Sequence, residues 1–95
     1  MRKFNQKDEA LVQAGVSLQI LINSHEITVK EAADSCNYSI AAGYFNIITG
    51  LQMALKELGS RFEDAGKPDK VRIGSFFEAV NERLSWIREE EKGVK

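Results

Sequence analysis

The chain has 95 residues, 43% of them hydrophobic and 28% charged, and its 13 Lys and Arg nearly cancel 14 Asp and Glu. That length suits one domain with a modest core, and the near-balance excludes a global polycation or polyanion that would seek nucleic acid or membrane by net charge. A single cysteine, Cys36, excludes an internal disulfide. With an N-terminus that turns acidic before any apolar stretch begins, the expected compartment is a reducing cytoplasm.

Charge is unevenly placed. Residues 1–9 hold five charges, residues 10–55 only four, and residues 56–95 the other 18. Between Asp34 and Lys56 run 21 residues with no charged side chain. Ser35, Asn37, Ser39, Asn46, Thr49 and Gln52 interrupt that stretch and argue against a membrane span. The N-terminal half thus reads as the apolar partner of the molecule and the C-terminal half as its solvated coat.

One proline and little apolar alternation predict an all-α fold, a small helical bundle of three main helices forming one domain over 1–95. The first helix is expected from about Asp8 to Ser24, with Leu11, Ala14, Leu18 and Leu21 on its apolar stripe. Its far side, Gln13, Ser17, Gln19 and Asn23, is uncharged, which suggests that it too is covered. Thr28 followed by Glu31 has capping-box spacing and predicts a second helix near Val29.

Two readings of the middle helix stand side by side. Ala33, Ile40, Ile47 and Ala54 recur every seven residues, as do Cys36, Gly43 and Gly50, which favours one long, kinked helix. Alternatively a turn near Asn37–Ser39 divides it, Asn37 tolerating left-handed backbone and Ser39 capping the next helix. Gly59–Ser60 predicts a kink or restart, with Ser60 and Glu63 again at capping-box spacing. Gly66 and Pro68 end the helical run, and KPDKVRIG reads as a connector. Ser75 with Glu78 opens the last helix, whose core face would be Phe77, Val80, Leu84 and Ile87, flanked by Phe76 and Trp86. Residues 89–95 read as a frayed, charged tail.

The segment ITVKEAADSCNYSIAAGYFNII resembles the outline of a helix-turn-helix, with paired alanines, a short turn and a second helix after Ser39. Gly43 departs from that outline where an apolar core residue is usual. The second helix also lacks cations, since no Lys or Arg occurs between Lys30 and Lys56, and phosphate contacts dominate DNA affinity. A DNA-binding regulator would have to use Ser39 and Asn46 with Lys67, Lys70 and Arg72.

Catalytic motifs are lacking. His25 is the only histidine and reads as a surface or C-capping residue at the end of the first helix. Cys36, beside Asp34, reads as a small buried residue rather than a reactive thiol. The carboxylates are adjacent pairs or lone, and GKPDK lacks the features of a phosphate loop. No metal, cofactor or enzymatic activity is therefore expected. Tyr38, Tyr44, Asn37, Asn46 and Trp86 are candidates for a small-molecule site, a third reading behind protein contact and DNA binding.

The uncharged helix is apolar nearly all round and needs cover nearly all round. Two further helices are too few to supply it, so a homodimer or higher homo-oligomer is expected. Ile40, Gly43, Tyr44, Ile47, Gly50 and Leu51 are the predicted self-association residues, and the predicted function is a non-enzymatic regulatory or adaptor protein with an unknown protein partner.

Overall fold

The computed structural model describes residues 4–93. It is all-α: α1 spans Gln6–Asp34, α2 Tyr38–Arg61 and α3 Asp69–Gly93, with a single 3-10 turn at Asp64–Gly66. No helix among the described residues is long and apolar enough to cross a membrane.

α1 begins at Asn5, whose side-chain oxygen accepts from the Asp8 N–H at 2.8 Å, satisfying one free donor of the first turn. The helix then continues through the predicted break at Ser24–Thr28. No Gly or Pro interrupts residues 16–34, and the Thr28 hydroxyl donates back to the Ser24 carbonyl instead of capping a new helix. His25 accordingly lies within α1, not at its end.

The division of the uncharged stretch falls at Ser35–Asn37. Cys36 N–H donates to the Ala33 carbonyl and Asn37 N–H to the Ala32 carbonyl, the paired bonds of a Schellman ending. Cys36 takes the left-handed position, at φ 59°, and is exposed. The left-handed residue is thus one before the predicted Asn37, and the thiol is not buried. α2 starts at Tyr38, with Asn37 as N-cap but without a side-chain capping bond. The seven-residue repeat from Ala33 onward crosses this break, so it does not mark one continuous helix.

α1 and α2 form an antiparallel hairpin. At its base the Asp8 carboxylate accepts from the Glu63 and Asp64 N–H groups at 3.0 and 2.9 Å, and towards its tip the His25 and Tyr44 rings meet with centroids 5.2 Å apart. Gly59 and Ser60 cause no restart: α2 runs to Arg61, and the Ser60 hydroxyl donates to the Glu57 carbonyl.

α3 begins directly after Pro68, where the Pro68 carbonyl accepts the Arg72 N–H. Most of the predicted connector is therefore helical, and Ser75 is a buried residue inside α3. The helix crosses one face of the hairpin near its base. Phe76 is fully buried against Phe62, ring centroids 5.6 Å apart, and Phe4 meets Phe62 at 5.1 Å. Two glycines make the crossing possible. A Cβ on Gly15 would lie 2.8 Å from Phe76 Cζ and 2.9 Å from Val80 Cγ2, and one on Gly59 would lie 3.2 Å from Phe76 Cδ2.

The buried line of α3 is Phe76, Ala79, Val80 and Leu84. Phe77 is half-buried and Ile87 exposed, so the predicted face is rotated by about one residue. Arg83 anchors the crossing, one guanidinium nitrogen donating to both Glu9 carboxylate oxygens at 2.7 and 2.8 Å. The C-terminal helix is thus a core element as much as a coat. Of the predicted frayed tail, residues 89–93 continue α3 and residues 94–95 lie outside the described residues.

Candidate interaction surface

The core is concentrated at the base. Val12, Val16, Phe62, Phe76, Ala79, Val80 and Leu84 are buried there, while Ile22, Ile48 and Leu55 continue a single buried line between α1 and α2 towards the tip. Beyond α3 the hairpin is a two-helix layer, and no other described element covers either face. Large apolar side chains accumulate on it: Ile47 is 49% exposed, Phe45 61% and Met53 68%, with Ile20, Leu21, Ile27, Tyr38 and Ile40 also exposed.

The two faces of this layer differ. On the side that carries α3, Gln19, Ile22, Glu26, Thr49, Gln52, Met53, Leu55, Lys56 and Phe77 line an open groove of about 450 Å³. Amides, a hydroxyl and opposite charges from Glu26 and Lys56 make that groove mixed in character.

The opposite face is uncharged. By the 3.6-residue period, Ile40, Gly43, Ile47, Gly50 and Ala54 run down one line of α2, about a quarter turn from the buried line of Ile48, Leu55 and Phe62. All five are exposed, and a Cβ on Gly43 or Gly50 would meet nothing within 4 Å. On α1 the same face presents Ala14, Ser17, Leu21, Ser24 and Thr28. The bare stretch thus supplies an open apolar surface instead of a central core helix.

The predicted self-association residues separate into two groups. Ile40, Gly43, Ile47 and Gly50 share the open line. Tyr44 and Leu51 do not: both are half-buried on the α1 side, Tyr44 against His25 and Leu51 against the buried core. They are a seven-residue pair on the seam with α1, and the repeat alone does not say which of two neighbouring lines is free. On α1 the uncharged far side also divides: Gln13 and Ser17 are exposed, whereas Gln19 donates to Asn23 at 3.0 Å and both are half-buried.

The residues proposed for DNA contact are not brought together. Ser39 and Asn46 lie towards the hairpin tip, and Lys67, Lys70 and Arg72 follow its base. The helical rise puts Asn46 and Phe62 about 24 Å apart along α2. Arg72 donates to the Phe62 carbonyl and Lys67 lies 3.6 Å from Asp64, so two of the three cations have intramolecular partners. The two hairpin helices also run antiparallel, unlike the open corner of a helix-turn-helix. The aromatic and amide residues considered for a small ligand are scattered too: Tyr38 and Asn37 sit at the turn, while Trp86 lines a shallow site with Phe4 and Arg83 at the base. Among the described residues no three His, Cys, Asp or Glu side chains are grouped to hold a metal ion.

What sequence reading missed is the polar base. Asp8 is 1% exposed, and nothing in its sequence neighbourhood marks it as buried; its role, taking the two backbone donors that follow α2, depends on a partner 55 residues away. The chain matches no protein-family model, no curated protein and no solved structure.

Proposed function

We propose that this is a non-enzymatic regulatory or adaptor module that acts by protein–protein contact and associates with itself through the distal half of the α1–α2 hairpin. The observation that carries the reading is the apolar surface of that half. Ile40, Ile47 and Leu21 are exposed together on its uncharged face. Contiguous exposed apolar area of this kind marks an interaction surface far more often than a solvated one.

The shape of the chain supports the same reading. Its radius of gyration is 15.6 Å, against about 12.4 Å for a compact domain of this length. A DNA-binding function would draw on groups at both ends of the hairpin, and a small-molecule function on the open groove. Neither has a feature of its own that favours it over protein contact.

Native mass by size-exclusion chromatography with light scattering, over a tenfold range of concentration, tests the proposal. A dimer or larger species that persists as salt is raised is expected, because apolar association is little screened. A monomer throughout, or an affinity for duplex DNA that falls steeply with salt, would count against it.

A further inference from the structure

We infer that the occupant of the uncharged hairpin face is a second copy of this chain, laid face to face with the two α2 helices antiparallel about a two-fold axis level with residue 45. This rests on the self-association reading above and specifies its surface and geometry.

The area is of the right size. The chain exposes 6680 Å², whereas a folded monomer of its 10.7 kDa mass exposes about 5,500 Å². The surplus of roughly 1,200 Å² per chain, doubled, falls within the range buried by obligate homodimers. Some of it lies on α3, where Val71, Ile73, Trp86 and Ile87 are partly exposed beside charged neighbours such as Arg88 and Glu89; the most exposed large apolar side chains lie on the hairpin. Of the hairpin's two faces, only the uncharged one suits an isologous contact, which brings each residue close to copies of its neighbours. The α3 side would bury Glu26 and Lys56, and α3 itself stands in the way of a flat approach.

Orientation follows from the order of sizes along the exposed line. Ile40, Gly43, Ile47 and Gly50 alternate large and absent side chains at spacings of three, four and three. A parallel, in-register pairing would set isoleucine on isoleucine and glycine on glycine. Reversal about residue 45 sets Ile40 opposite Gly50 of the second copy and Gly43 opposite its Ile47, so every projection meets a notch. The His25–Tyr44 contact fixes the same level on α1. There the reversal sets Leu21 opposite Thr28 of the second copy, and no like charges meet.

The test uses the full chain with Cys36→Ser as background and single cysteines introduced in separate preparations. Mixing Ile40→Cys with Gly50→Cys is expected to give a 40–50 disulfide in preference to 40–40 or 50–50, and Thr49→Cys and Gln52→Cys are expected to give none. Gly43→Leu should weaken association roughly tenfold to a hundredfold while its helical circular dichroism is retained, since the site is open in the monomer. Dimeric mass with disulfides through Thr49 or Gln52, or a 40–40 preference, would overturn this geometry and leave self-association standing. A monomer in every preparation would overturn both.

Discussion

The two ends of the hairpin are built from the same pair of helices and reach opposite solutions. At the base, aromatic rings from three segments interlock, two glycines admit α3, and buried Asp8 and Arg83 tie α1 to the loop and to the third helix. At the tip, one buried line joins α1 to α2, and the rest of the apolar surface is left open. The difference teaches that apolar content alone does not locate a core. What decides it is where a third element crosses, and α3 crosses only the base.

Substitutions at the two ends should therefore behave differently, and the largest effect belongs to the base. Phe76→Ala is expected to cost about 3–5 kcal/mol, much of the stability of a chain this size. Urea titration would show a fall in midpoint, and a change below about 1 kcal/mol would mean that the base is not the stabilising centre. Asp8→Ala should cost about 2–3 kcal/mol, because it strands the Glu63 and Asp64 N–H donors. The same titration measures it, and Asp8→Asn should recover part of the loss through its remaining acceptor.

Next in size is a matched pair of glycine substitutions. Gly15→Ala should destabilise by about 1–3 kcal/mol, since its Cβ has no room against Phe76 and Val80. Gly50→Ala should stabilise the isolated chain by about 0.5–1 kcal/mol through helix propensity, measured at concentrations low enough to hold the monomer. Equal signs for the two would erase the distinction between a closed base and an open tip. An effect comparable to that of Gly50→Ala is expected at the turn. Cys36→Gly relieves a left-handed backbone at φ 59° and should raise stability by about 1 kcal/mol, seen as a higher thermal midpoint; a lower midpoint would show that the thiol contributes a contact that outweighs the strain.

The all-α class was legible in the sequence because helical spacing pervades it, and so was a break close to Asn37. The positions of helix ends were not. Thr28–Glu31, Ser60–Glu63 and Ser75–Glu78 all have the capping-box spacing, and in the structure Thr28, Ser60 and Ser75 all lie inside helices, where a hydroxyl can bond a carbonyl one turn back. Ile40, Gly43, Ile47 and Gly50 could be read as an association line because charge is missing there. Tyr44 and Leu51 share that spacing but lie half-buried on the seam with α1, and telling a seam from a free surface requires knowing which side α1 occupies. Asp8 was illegible for a related reason: its partners are backbone groups far along the chain, which leave no residue-type signal.

Hydrogen exchange of the whole chain, read by mass spectrometry at two protein concentrations, tests the comparison most directly. Amides of residues 40–54 are expected to gain protection as concentration rises, while those of residues 8–16 and 76–84 stay unchanged at both. Protection of residues 40–54 that is independent of concentration, or a gain confined to the base, would contradict the claim that the hairpin tip is an open surface completed by association.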